Sequence, residues 1–290
     1  MAARGVHTGV GMTTSITTTD LALRFRRWVS KHRFSTFIML AYTLSWAYWI
    51  PLALGDDTVR TGIGWPTQMP GLLGPAVAAV IVTALADGTA GLADLWARIT
   101  RWRVGWWWLS VLVILLAGAI AIVATGSLGE TYDLTLYSGI NAGIGAPATI
   151  IVALVVNGFG EEVGWRGFLA ERLLRQHNLT VTALIVALVW APWHMPLFFL
   201  MSSFQGFHPG EVVGWTLGIT AGSFVLAWLY RGSGASILLV AVWHIAFNLT
   251  AATEAGDGVV AAVTSTLVMV AAVVIIVNDR WLRRAGQRAP

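Results

Sequence analysis

The chain has 290 residues, 57% of them hydrophobic and only 11% charged, with a mean hydropathy of +0.72. A soluble domain carries roughly a quarter charged residues, so a water-soluble fold is excluded and several bilayer spans of ~20 apolar residues are implied. The net charge of +4 is read with the spans, by where basic residues fall along the chain, and not as a nucleic-acid surface; the absence of cysteine removes disulfides and thiolate chemistry.

Residues 1–33 form a Thr-rich and then basic tail (Arg24, Arg26, Arg27, Lys31, Arg33), expected to be cytoplasmic and partly disordered. No cleavable signal peptide is expected, and Met12 is an alternative start to Met1. Apolar runs follow at about Phe34 to Leu54, Met69 to Ala86, Trp106 to Thr125, Pro147 onward, Val181 to Leu200, Val212 to Tyr230, Ala235 to Ala252 and Val259 to Val277. They predict an all-α polytopic membrane protein of about eight transmembrane helices: one domain over 34–277, then a basic cytoplasmic tail at 278–290.

Threading these runs back and forth puts Arg98, Arg101, Arg103, Arg172, Arg175, Arg231, Arg280, Arg283, Arg284 and Arg288 on the side of the N-terminal cluster, with Arg60 alone opposite. The opposite loops hold Asp56, Asp57, Glu130, Asp133, Glu211, Glu254 and Asp257. Positive residues stay inside, so both termini are expected in the cytoplasm. Trp102, Trp106, Trp107, Trp108 and Trp281 read as headgroup anchors. Gly214, Gly218 and Gly222 recur every fourth residue, a spacing that permits close helix packing within the chain.

An ionisable side chain at bilayer depth costs at least ~2.5 kcal/mol, which makes it a functional candidate. Four places qualify: Glu161 with Glu162, His194, His244, and Asn248. An unbroken fourth helix puts Glu161 ~16 Å above the basic end at Arg172; His194 falls ~21 Å inward, His244 ~14 Å and Asn248 ~20 Å. Glu162 and Arg166 are i and i+4 and can pair, leaving Glu161 for another role, since adjacent helical side chains diverge by ~100°. His244 and Asn248 are also i and i+4, a suitable donor pair for the oxygen of a tetrahedral intermediate.

Blander readings compete. The fourth span can end near Phe159, with the glutamates opening an interfacial helix over Gly160 to His177. His194, between Pro192 and Pro196, can be a buried histidine satisfied by a freed carbonyl, and Asn248 can be helix-to-helix polar glue.

Together these residues resemble the CAAX prenyl endopeptidase and bacteriocin-processing (CPBP, or Abi) family of intramembrane proteases. Glu161, Glu162 and Arg166 match its Glu-Glu-x-x-x-Arg motif, within the bacterial form Glu-Glu-x-x-Trp-Arg-Gly-Phe ending at Phe168. Trp190 and His194 match an aromatic residue four before a histidine, where the family more often has Phe, and His244 and Asn248 match His-x-x-x-Asn. The three motifs occur in family order and define a catalytic core of about 147–252.

The resemblance implies hydrolysis of a peptide bond in a membrane-associated peptide or protein, at a site open to the cytoplasmic side of a bacterial plasma membrane. Glu161 would be the general base on a water, His194 would position that water, His244 and Asn248 would stabilise the oxyanion, and Glu162 and Arg166 would order the site. No cofactor is obligatory in this reading. If Zn²⁺ is used, Glu161, His194 and His244 are the ligands, with an open fourth position, although the helical His-Glu-x-x-His pair of many zinc proteases is absent. The partners expected are the lipid bilayer and a membrane-associated substrate, with no nucleic acid. Two other classes stay open: a proton-coupled transporter using Glu161, His194 and His244 as a relay, and a non-catalytic scaffold or bacteriocin-immunity protein.

Overall fold

A computed structural model describes residues 18–126, 136–250 and 258–286, without the side chains of 281–286. Ten helices dominate the described residues: α1 (Thr18–Lys31), α2 (Arg33–Leu54), α3 (Met69–Ala86), α4 (Gly88–Ile99), α5 (Gly105–Gly126), α6 (Ala146–Leu174), α7 (Leu179–Leu200), α8 (Pro209–Gly232), α9 (Ile237–Asn248) and α10 (Val259–Gly286). Seven of them, α2, α3, α5, α6, α7, α8 and α10, are long and apolar enough to cross a membrane. The remaining expected span is short: α9 has 12 residues, ~18 Å of helix, and its expected continuation to Ala252 enters 251–257, outside the described residues. Among the described residues the β pairings are two isolated bridges, Val59 with Met201 and Thr61 with Ser138. The protein is therefore an all-α integral membrane protein.

Its outer surface is what a lipid-facing wall requires. Leu112, Val113, Leu116, Ile120 and Val123 on α5, and Val270, Val273, Val274 and Val277 on α10, are exposed, where apolar side chains meet acyl chains at no cost. Inside, α6 is the hub, packed against α3 on one side and α9 on another. Its glycines make this possible: a Cβ on Gly164 would stand 2.4 Å from Pro75 and one on Gly160 2.7 Å from the Leu72 carbonyl, distances only a missing side chain permits. The expected seam on α8 is not there. A Cβ on Gly214 or Gly222 would meet nothing within 4 Å and one on Gly218 only the tip of Met269 at 3.8 Å, so these three glycines bring no helix backbone into close approach.

The basic stretch read as tail is in part a helix. α1 carries Leu21, Leu23, Phe25 and Trp28 among its arginines, all four exposed, as an interfacial helix does. It is tied to the α3–α4 corner by Arg26 Nε, which donates to the Leu85 carbonyl at 3.2 Å, and by Ser30 Oγ, which donates to Ala86 at 3.3 Å. Residues 1–17, including Met12, lie outside the described residues.

Charge segregates between the two ends of the bundle. At one end Arg33 meets Asp87 at 3.4 Å, Arg231 meets Asp279 at 3.5 Å, and Ser236 Oγ donates to the Arg101 carbonyl at 2.6 Å, with Arg98, Arg172 and Arg175 alongside. The other end holds Asp56, Asp57 and Glu211 in or beside loops joined by the bonds Val59 N to Leu200 O and Gln68 Nε2 to Ser138 O, 2.8 and 3.0 Å. Glu130, Asp133, Glu254, Asp257 and Arg288 lie outside the described residues, as do the side chains of Trp281, Arg283 and Arg284. Trp102 and Trp106 are exposed as anchors should be, whereas Trp107 turns inward onto Trp228, ring centroids 4.7 Å apart.

Candidate active site

The helix that carries the glutamates is continuous but not regular. Within α6, π-helical turns at Ala153–Gly158 and Trp165–Ala170 flank the α-helical stretch Phe159–Gly164, and such turns recur where a helix must re-aim its side chains. Residues 161–170 are all buried, which overturns the alternative of a span that ends near Phe159 and an interfacial helix after it.

The two adjacent carboxylates go separate ways. Glu162 and Arg166 are fully buried and paired, Arg166 Nη1 donating to Glu162 Oε1 at 2.8 Å. The same oxygen stands 2.8 Å from His244 Nδ1. Glu161 points elsewhere and accepts a hydrogen bond from Trp190 Nε1 at 2.6 Å. Trp190 occupies the position where Phe is commoner, and only an indole carries the N–H that makes this bond. The Arg166 guanidinium lies over its ring, 4.3 Å from the centroid, so Trp190 stands between the carboxylate it binds and the cation that binds the other.

His194 ends the α-helical part of α7. Its backbone N–H bonds to Ala191 at 3.2 Å, a tightened turn that leaves the Trp190 carbonyl to His194 Nδ1 at 2.9 Å. A carbonyl only accepts, so Nδ1 carries the proton and a neutral ring presents the Nε2 lone pair. Trp193 and Trp215 box the ring at 4.8 and 5.4 Å between centroids. The reading of a histidine satisfied by a carbonyl therefore holds at one nitrogen and leaves the other for chemistry.

His244 and Asn248 each have a partner of their own. His244 Nδ1 is committed to Glu162, and its ring edge meets the Trp190 ring at 5.6 Å. Asn248 Nδ2 donates to Asn157 Oδ1 at 3.3 Å, and Asn157 Nδ2 donates to the Tyr137 hydroxyl at 3.1 Å. Burial pushes the Tyr137 phenol above the ordinary tyrosine range, so it keeps its proton. Tyr137, Asn157 and the indole N–H of Trp190 are thus polar groups of the site that motif reading passed over. Asn157 had a signal, an amide one helical turn before Glu161; Tyr137 had none, because it comes from a segment between spans.

Among the described residues no three His, Cys, Asp or Glu side chains stand close enough to hold a metal ion. Glu161, His194 and His244 share a region without forming a ligand set, and this arrangement does not fit Zn²⁺. A cavity of about 690 Å³ at the basic end, lined by Lys31, Arg33, Asp87, Arg98, Glu171 and Arg172 among others, is separate from the carboxylates: Arg172 follows Glu161 by ~16 Å of helix.

Residues 143–250 match the family model described as type II CAAX prenyl endopeptidase Rce1-like. The segment runs through α6 to α9 and contains every site side chain above except Tyr137. The chain is also similar to the CAAX prenyl protease 2 of Methanococcus maripaludis, 22% identical over 227 residues, which cover 76% of this chain and 84% of that protein. With its three motifs on one buried site inside a membrane-spanning helical bundle, the chain is similar to the CAAX prenyl endopeptidase and bacteriocin-processing family of intramembrane proteases.

Proposed function

We propose that the protein hydrolyses a peptide bond of a membrane-associated protein or peptide, with a water activated by Glu161. The observation that carries this reading is the division of labour between the neighbouring glutamates. Glu162 is neutralised by Arg166 and holds His244, while Glu161 meets a single neutral donor and has no ion-pair partner among the described residues. A carboxylate so placed can take a proton from water and return it.

Water gives its proton to Glu161, and its oxygen adds to the scissile carbonyl carbon, whose π pair moves onto oxygen. Collapse of the tetrahedral intermediate breaks the C–N bond, and the amine leaves with the proton from Glu161. His194 Nε2 orients the water by accepting its second hydrogen. His244, fixed through Nδ1 by Glu162, presents Nε2 to the reacting centre and as imidazolium donates to the oxyanion. Glu162 and Arg166 act through His244 and Trp190. No step passes through a metal.

In this reading the basic end faces the cytoplasm, and water reaches Glu161 from that side. The substrate proposed is a prenylated C-terminal CAAX peptide, by analogy with the name of the Methanococcus relative. The test is cleavage of a library of internally quenched membrane peptides, prenylated CAAX sequences included, by the purified full chain and by Glu161→Gln. The wild-type protein is expected to cleave and the variant to lose activity. Undiminished cleavage by Glu161→Gln, or none by the wild-type protein, removes the reading.

A further inference from the structure

The cavity of about 690 Å³ at the basic end is lined by five cationic side chains and three carboxylates, and the two signs are unevenly matched within it. Two of the arginines are fully engaged. Arg98 donates from Nε to Asp94 at 3.0 Å and from Nη1 to the Gly167 carbonyl and the Tyr230 hydroxyl, both at 2.7 Å. Arg175 donates from Nε and Nη2 to Glu171 at 3.1 and 2.8 Å. These two cations and two carboxylates balance, and the excess lies with the other three. Arg33 and Arg172 share one carboxylate, meeting Asp87 Oδ1 at 3.4 Å and Oδ2 at 2.5 Å, and exposed Lys31 makes no ion pair among the described residues. Three cations against one carboxylate leave two positive charges uncompensated at one wall of the cavity.

We propose that this cavity binds the headgroup phosphate of an anionic phospholipid, with Lys31, Arg33 and Arg172 as its contacts and the acyl chains beside α1. The level is right for a headgroup. α1 ends at Lys31 and the spanning helix α2 begins at Arg33, so a single residue separates the cavity's cations from the start of a bilayer span. Clusters of four or more Lys or Arg beside a span or on an amphipathic helix are the composition of anionic-lipid sites, and Arg24, Arg26, Arg27, Lys31 and Arg33 form such a cluster. The site is independent of the chemistry at Glu161.

α1 supplies the apolar half of the site. Leu21, Phe25 and Trp28 recur at i, i+4 and i+7 and share one exposed face, while Arg24, Arg27 and Lys31 recur at i, i+3 and i+7 on a second exposed stripe ~60–120° round the helix. Buried Val29 and the bonds from Arg26 and Ser30 to the α3–α4 corner hold the remaining side to the bundle. A helix so fixed lays its apolar stripe among acyl chains and its basic stripe among phosphates. Lys31 belongs to both the basic stripe and the cavity wall, which joins the two halves into one site. The volume lies within the ~300–1,000 Å³ of small-molecule sites. A phosphodiester brings a single negative charge to the excess of two, whereas the ammonium of a zwitterionic headgroup is repelled by it, so the site selects anionic lipid over phosphatidylcholine.

The experiment uses the full chain, delipidated in a neutral detergent and titrated in turn with phosphatidylglycerol, phosphatidylcholine and inorganic phosphate, with binding read from the rise in Tm along each titration. Phosphatidylglycerol is expected to bind at least about tenfold more tightly than phosphatidylcholine, since each basic residue at an anionic surface is worth about fivefold. Inorganic phosphate is expected to bind more weakly than phosphatidylglycerol, because it brings no acyl chain to α1. Lys31→Gln, which breaks no ion pair among the described residues, is expected to weaken phosphatidylglycerol about fivefold. Arg103→Gln removes a cation of the same end that lies outside the cavity, over the Trp102 ring, and is expected to change that affinity by less than about twofold. Equal affinity for the two lipids, equal losses from the two variants, or phosphate bound as tightly as the lipid each overturns the proposal. If Lys31→Gln unfolds, the wild-type chain decides: raising salt from about 0.05 to 0.5 M is expected to remove most of the preference for phosphatidylglycerol, because exposed charges are screened, and a preference untouched by salt overturns the site.

Discussion

Glu161→Gln and Glu162→Gln alter neighbouring carboxylates by the same isosteric change and are expected to fail in opposite ways. Glu162 and Arg166 are fully buried, and Glu162 Oε1 is the acceptor for both Arg166 Nη1 and His244 Nδ1 at 2.8 Å. Glu162 Oε2, Arg166 Nε and Arg166 Nη2 make no hydrogen bond among the described residues, so the guanidinium has that one oxygen as its counterion contact. Removing the charge leaves a buried cation uncompensated, which costs about 3–5 kcal/mol; at 2–4 °C per kcal/mol this is a fall of about 10 °C in Tm. Glu161→Gln changes little in the fold, because the amide oxygen still accepts from Trp190 Nε1, and exchanging a charge-assisted for a neutral bond costs about 1 kcal/mol. Its effect is on chemistry: a lost general base costs about 10²- to 10⁴-fold in kcat. Thermal unfolding of the two variants in one detergent, beside cleavage measured well below either Tm, reads both quantities. An unchanged Tm for Glu162→Gln, or a destabilised but active Glu161→Gln, would refute the division of roles between the two carboxylates.

Trp190→Phe installs the residue commoner in the family and removes the N–H that Glu161 accepts; a hydrogen bond to a charged group is worth about 1.5–3 kcal/mol, so kcat should fall about tenfold or more, and a rate equal to wild type would leave the indole no part in holding the carboxylate. Gly164→Val drives a side chain against Pro75, where a Cβ alone already stands at 2.4 Å, and should destabilise by about 1–3 kcal/mol. Gly222→Ala, with nothing within 4 Å, should change stability by less than about 0.5 kcal/mol; equal shifts in Tm for the two would contradict the placement of the packing seam on α6. Treatment with a chelator should leave cleavage intact, and a loss restored by Zn²⁺ would overturn the route without metal.

The membrane class and the positions of the spans were legible because hydropathy over ~20 residues is a coarse signal that survives local irregularity. The two ends of the bundle were legible for a similar reason, since arginine cannot sit unpaired at bilayer depth and so marks span ends. What the linear pattern misled about was packing. Glycines every fourth residue on α8 fit the spacing of a seam, yet those on α6 at 160 and 164 made it, because close approach depends on what stands opposite. α1 was hidden by its own charge: five basic residues in ten look like a solvated tail until Leu21, Phe25 and Trp28 are seen sharing a helix laid along the bundle's end.

The site divides along the same physical line. Spacing of i and i+4 foretold the bond between Glu162 and Arg166, because both ends of that bond lie on one helix and the geometry of one helix is fixed. The same rule applied to His244 and Asn248 put them on one face but could not say what they faced, and their partners came from α6. His244 is claimed by Glu162, and Asn248 by Asn157. Tertiary hydrogen bonds in a buried site are competitive: each donor goes to the acceptor that would otherwise be left bare. A motif therefore names the residues that meet, and the donor count at the meeting point decides which of them still has a hydrogen to offer the substrate.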